Sequence, residues 1–195
     1  MNSEIQQPEI AEWRDELLQQ EERAKEIAAS LGSSEFGQRP APKSWSVAHC
    51  FDHLATTLEE YRPFLEQGIN AAEAKGSSSG SGHRPGWFGR WFIAMAGEGQ
   101  RKLSAPKMFQ PSDHAPSGAL ERYLSASTAL RALLPRADKV DLNQTKFRSP
   151  ATALLRFRIG EGIELMVVHN ARHLRQAERA RATIRGEEFV EEAVD

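Results

Sequence analysis

Four long stretches of this chain carry apolar residues at every third or fourth position, and that periodicity narrows the possible folds more than any other feature. The first, Glu9–Leu31, sets Trp13, Leu17, Ala24, Ile27, Ala28 and Leu31 on a recurrent face, which marks an amphipathic helix. The second begins at Ser46, a good N-cap, and runs to about Lys75. Phe51, Leu54, Leu58 and Leu65 form its apolar stripe, beside another made of His49, His53, Thr57, Tyr61 and Phe64. Pro63 inside this helix predicts a kink, because an interior proline removes a backbone hydrogen bond at a cost of about 3 kcal/mol. A third helix covers Ser117–Leu134, with Leu120, Tyr123, Leu124, Leu130 and Leu133 inward, and a last one runs from about Gly160 to Arg185. No alternating pattern of convincing length signals a sheet, although Ala151–Ile159 reads as either a short strand or an extended arm. Nothing repeats at a fixed period. Four long helices with long connections predict an all-α four-helix bundle.

The connections differ in character. Gly32-Ser33-Ser34 ends the first helix, and Arg39-Pro40-Ala41-Pro42 makes an extended connector. Gly76–Gly86, reading GSSSGSGHRPG, is small and polar enough to predict a flexible loop, with His83 solvated inside it. Trp87–Leu103 follows, with Trp87, Phe88, Trp91, Phe92 and Met95 clustered on short helical turns. The run suits a core plug or a dimer contact; the sharper reading is a lid over a ligand pocket. Pro106, Pro111 and Pro116 break an irregular crossing in which His114 has no spaced partner, and Pro135–Pro150 reads as a loop. Residues 1–195 are expected to form one domain, with a core from about 9 to 185 and an acidic tail over 187–195.

A chain of 195 residues can bury a real core without disulfides. Its net charge of −2 produces no global field that would attract nucleic acid or an anionic membrane. The single Cys50 fits a reducing compartment, and its apolar helical setting predicts a small buried filler rather than a nucleophile. A polar, acidic N-terminus is unlike a secretory signal, and no apolar run nears the ~20 residues of a membrane span. The expectation is a soluble cytoplasmic protein. Arg172, Arg175, Arg179, Arg181 and Arg185 crowd the last helix. They can oppose its C-terminal dipole and pair with acids, or form a phosphate- or carboxylate-binding patch.

Chemistry concentrates in the histidines. His169 and His173 stand four residues apart on the last helix, so both imidazoles project from one face with Cβ atoms about 5–6 Å apart. Two neutral imidazoles so placed can hold one divalent ion. His49 and His53 repeat the spacing, where six histidines would give about 0.2 such pairs by chance. Either His49 or His53 can supply a third ligand in a bundle, where metal sites sit between facing helices. His53 is the better candidate, lying a turn deeper between Phe51 and Leu54, whereas His49 occupies the position where Glu or Gln would complete a capping box. Gln176, three residues past His173, is a candidate support for it, and Asp52 and Glu161 are candidate bases by nearness in sequence alone.

The segment Trp45-Ser46-Val47-Ala48-His49-Cys50-Phe51-Asp52-His53-Leu54 resembles the second-helix signature of the DinB-like superfamily. His169-Asn170-Ala171-Arg172-His173-Leu174-Arg175-Gln176 is similar to its HxxxH motif with a following Gln, and Lys107-Met108-Phe109-Gln110-Pro111 to a connector before the third helix. The three motifs come in order and span most of the chain. The resemblance implies an up-down-down-up four-helix bundle with a long crossover connection, often dimeric. It also implies a nickel or zinc ion on three histidines, which carry over to His53, His169 and His173. Family members more often show Gln or Glu at position 49, so His49 has no role from the resemblance.

Activities within such a family vary, and some members are thiol S-transferases. The leading expectation is therefore a metal-dependent enzyme that ionises a low-molecular-weight thiol of the bacillithiol, mycothiol or glutathione kind for attack on a small electrophile. Arg172 or Arg175 is the candidate holder of the thiol's carboxylate. A hydrolase using metal-activated water is the nearest variant, and a non-catalytic dimeric bundle that binds metal or ligand, linked to stress response, is the reading from another class. A wide cavity beside the histidines favours an enzyme; a filled interior favours a scaffold.

Overall fold

The computed structural model describes residues 5–80, 82–97, 106–114 and 116–189. The four predicted helices are present with ends close to those expected: α1 over Pro8–Ala29, α3 over Val47–Ala74, α5 over Ala119–Arg131 and α7 over Ile159–Arg185. Between them lie the short α2 (Ser33–Gly37), α4 (Trp87–Gly97) and α6 (Leu134–Ala137), and a hairpin of β1 (Lys146–Ser149) and β2 (Thr152–Arg158). The helix α3 runs on through Pro63 without a break.

Side-chain pairs between the helices set their directions. Arg122 of α5 pairs with Asp52 and Glu59, and Arg136 of α6, just past the end of α5, with Glu66 and Glu73, so α5 runs the same way as α3. Gln20 bonds the Val167 carbonyl, Arg23 pairs with Glu178 and Arg185 bonds the Ser30 carbonyl, which makes α1 and α7 parallel too. Gly68 lies against Ile159 whereas His53 faces His169, so α3 and α7 are antiparallel. The bundle is up-down-down-up, and its parallel middle pair requires the long crossover from 75 to 118. In cross-section α1 touches α5 and α7, and α3 touches the same two. One apolar core from Ile10 to Ala180 fills the centre.

Two segments depart from the expectations. The stretch read as a loop contains β1, whose Phe147 pairs with Phe157 of β2, and both are buried against the bundle. Gly162 admits the Phe147 ring, since a Cβ there would stand 2.3 Å from it. The expectation of a solvated His83 is wrong. Its side chain is 6% exposed, its Nε2 bonds Glu164 at 2.7 Å, and its ring meets Trp13 edge-on over Gly160. Further bonds tie this glycine-serine loop down: Asn143 to the Gly82 carbonyl, Arg84 N–H to Asn143 and Gly86 N–H to Glu161.

The aromatic run forms α4, which follows α7 in the same direction, with Gly89 against Glu161 and Gly97 against Val168. It is divided rather than plugged. Ile93 is buried and Phe92 packs on Phe157 at 5.1 Å, while Trp87 and Trp91 are 82% and 55% exposed. Positions 98–103 of the run, and 190–195 of the acidic tail, lie outside the described residues. Among the described residues no helix is long and apolar enough to cross a membrane.

Candidate metal centre

The antiparallel packing of α3 on α7 brings His53 opposite His169 and His173. The ring centroids are 5.1 Å (His53–His169), 4.4 Å (His53–His173) and 4.5 Å (His169–His173) apart. One nitrogen from each imidazole lies within 4.8 Å of the other two. No other His, Cys or carboxylate group among the described residues meets this condition. The Nε2 atoms of His53 and His169 are 3.3 Å apart. Two nitrogens bound at about 2.05 Å to one tetrahedral zinc ion would stand about 3.3 Å apart.

Hydrogen bonds decide which ring atoms face inward. His53 Nδ1 contacts the Phe109 carbonyl, which only accepts, so Nδ1 carries the proton and Nε2 keeps its lone pair. His173 Nδ1 donates to Gln176 Oε1 at 2.9 Å, again leaving Nε2 as a lone pair. A carbonyl behind each imidazole is how metal-binding histidines are commonly oriented. His169 Nδ1 is buried with no partner among the described residues. Burial, then repulsion from His53 and Arg172, holds His169 well below the ordinary imidazole range. Burial, then His169 and His53, does the same for His173, and burial lowers His53. All three rings are thus neutral at pH 7, the state a metal requires. The donor set fits a divalent ion.

His49 has a different occupation. Arg39 donates to its Nε2 at 2.8 Å, so the proton sits on Nδ1, which donates to Ser46 Oγ at 2.6 Å. Ser46 Oγ also accepts from the His49 backbone N–H at 3.2 Å. The imidazole thus sits at the position where Glu or Gln would close a capping box, but as a donor to the Ser46 hydroxyl, and with both ring nitrogens engaged it has no lone pair left for metal. Burial, then Arg39, lowers its pKa. The choice between His49 and His53 therefore falls to His53.

A cavity of about 930 Å³ opens beside the three rings. Gln176 and Arg172 both line it, and Arg172 also donates to the Ala96 carbonyl at the end of α4. Arg175 is not among the lining residues; it reaches the Gly97 carbonyl instead. Neither proposed base faces the cavity. Asp52 accepts from Arg122 and Ser112, and Glu161 caps α7 by accepting from the Arg158 N–H. Cys50 is fully buried, and burial pushes its thiol up to about 12, so it is the inert filler expected. Phe92, Met95 and Ala96 make α4 one wall of the cavity, the part of the lid reading that geometry supports. Sequence reasoning missed Trp45, whose ring lies 4.8 Å from His53 and 5.7 Å from His173, and the carbonyl of Phe109. A backbone carbonyl leaves no signature in a sequence.

The family model described as the DinB superfamily matches residues 16–177. No curated relative matches the sequence. A search of solved structures finds YfiT from Bacillus subtilis, described as a probable metal-dependent hydrolase with an unusual four-helix bundle topology. It is 16% identical, the match covers 96% of this chain and 94% of that one, and the TM-score is 0.58. At that identity the likeness carries the fold.

Proposed function

The chain belongs to the DinB superfamily, and on that premise we propose that it is a divalent-metal-dependent enzyme of the thiol S-transferase type. The observation that carries the proposal is the convergence of His53, His169 and His173, two of them held by a carbonyl oxygen behind the ring. A nickel or zinc ion held there would act as a Lewis acid, favouring the thiolate of a bound thiol at neutral pH.

The chain's own groups suit that task. Phe109 and Gln176 orient two of the three imidazoles and keep their protons off the inward nitrogens. Trp45, Phe92 and Met95 give part of the cavity an apolar lining. Arg39, Lys43, Arg172 and Arg179 line it against one carboxylate, Asp113, which favours an anionic small molecule over a neutral one. A thiol brings its own nucleophile and does not require an aimed carboxylate base, and neither Asp52 nor Glu161 provides one. The width of the cavity favours an enzyme over a scaffold. A homodimer, the state implied for the family, would have Trp87 and Trp91 of α4 as its natural contact, and cytoplasmic location fits a chain with a single buried thiol.

The test is metal content by mass spectrometry on protein purified without an affinity tag, beside His169→Ala/His173→Ala. About one ion per chain, lost in the variant, is the expected result, followed by turnover of electrophiles only when a thiol is supplied. Turnover without thiol would assign the hydrolase variant. No metal, and no uptake of added nickel or zinc, would leave a non-catalytic bundle.

A further inference from the structure

The turn that enters α3 contains an unexplained backbone. Ser44 N–H donates to the Ala41 carbonyl at 3.0 Å, closing a four-residue turn with Pro42 second and Lys43 third. Lys43 has φ +66°, the only positive φ at a non-glycine position among the described residues. Proline followed by a positive φ is the pattern of a type II turn, whose third position favours Gly or Asn because a Cβ is crowded there. Lysine is a poor choice for the turn. Its side chain makes no hydrogen bond or ion pair among the described residues, and it lies exposed on the cavity lining.

Arg39 lies on the same lining. Among the described residues three of its five N–H donors are engaged, on the Ser44 carbonyl at 2.7 Å, His49 Nε2 at 2.8 Å and the Asp113 carbonyl at 3.3 Å. The guanidinium is therefore fixed in place while two donors remain for a ligand. Trp45 is two residues beyond Lys43, within about 7 Å of chain, and its ring rests on two of the proposed metal ligands. The turn joins the rim of the cavity to its centre.

We propose that Arg39 and Lys43 form the seat for a carboxylate on the ligand, and that Lys43 occupies an unfavourable backbone position in order to present its ammonium there. The inference rests on the cavity being the active site. It makes the ligand a carboxylated molecule long enough to reach from the rim to the three imidazoles. Strain of this kind persists where the surrounding structure enforces it, and it concentrates at ligand-binding sites.

The experiment compares reduced glutathione with its diethyl ester, which differ only in their two carboxylates, on cobalt-loaded wild type, Lys43→Asn and Lys43→Gly. Binding is read from the thiolate-to-cobalt absorption and stability from Tm. Wild type is expected to bind glutathione about tenfold more tightly than the ester. Lys43→Asn is expected to bind glutathione about threefold more weakly, with the ester's affinity unchanged and Tm no lower than wild type. Unchanged glutathione affinity, or a marked fall of Tm in both variants, would overturn the assignment. The same titration of metal-free protein, followed by tryptophan fluorescence, separates the two readings. Loss of cobalt binding alone defeats the histidine centre, whereas loss of the carboxylate preference in metal-free protein defeats the seat.

Discussion

All four histidines of the two four-residue pairs line the cavity, but whereas both rings of the α7 pair keep a nitrogen free for it, on α3 only the second does. His49 and His53 have the same spacing as His169 and His173 and share one helix face, yet His49 is bonded by Ser46 and Arg39 at both ring nitrogens. The difference lies in position along the helix. His49 stands within the first turn, where unpaired backbone N–H groups and the N-cap hydroxyl compete for any polar side chain. His53 is one turn deeper, where its Nδ1 meets the Phe109 carbonyl and its Nε2 faces His169. A shared helical face is thus no guarantee of a free ring nitrogen; the partners that compete for each imidazole decide which one has a lone pair to offer.

The sharpest break in this comparison is one alanine in each pair. His53→Ala should abolish metal retention, at least a hundredfold in affinity, because it removes one of three ligands. His49→Ala should keep the metal, as read by mass spectrometry after gel filtration. It should instead cost about 1 kcal/mol of stability in urea unfolding, because the ring's bonds to Ser46 and Arg39 are lost while the Ser46 cap on the backbone N–H of residue 49 remains. Metal loss in His49→Ala would erase the distinction between the two members of the pair.

A smaller effect tests the support behind α7. Gln176→Leu should weaken metal affinity by about 10- to 100-fold by chelator competition, because His173 loses the oxygen that holds its proton on Nδ1. His173 should remain a ligand, so the metal content of freshly loaded protein should not change.

The mildest prediction concerns pH. His169 and His173 have folded pKa values below the unfolded value of about 6.5. The unfolded chain therefore binds more protons between the two values, and stability rises with pH across that window. Metal-free protein should be fully stable above about pH 6.5 and lose Tm progressively as pH falls below it. His169→Ala/His173→Ala should flatten most of this slope, more than His49→Ala does. An equal slope in both would show that the two pairs titrate alike.

The helices were legible because apolar residues at the 3.6-residue period need no partner to be recognised. The hairpin was not. The alternation Lys146-Phe147-Arg148-Ser149 is only four residues long, and it becomes a strand because Phe147 finds Phe157 and a seat at Gly162. His83 was misread for a related reason. Its local composition is that of a solvated loop, while the groups that bury it, Trp13 and Glu164, belong to the first and last helices. The exposed tryptophans of α4 show the converse, since apolar character alone did not say which side of that helix would be covered.

By itself the sequence determined four amphipathic helices, one inert cysteine and two histidine pairs each confined to a helix face, because all of these follow from spacing along the chain. The sequence already favoured His53 over His49, but only tertiary structure showed what occupies the His49 ring, that Arg172 lines the cavity while Arg175 does not, and that Lys43 lies on its lining. The reason is that these outcomes depend on groups far apart in sequence: the Phe109 carbonyl 56 residues from His53, the Asp113 carbonyl 74 residues from Arg39. A lone pair's availability is settled by what packs against it, and local spacing carries no record of that.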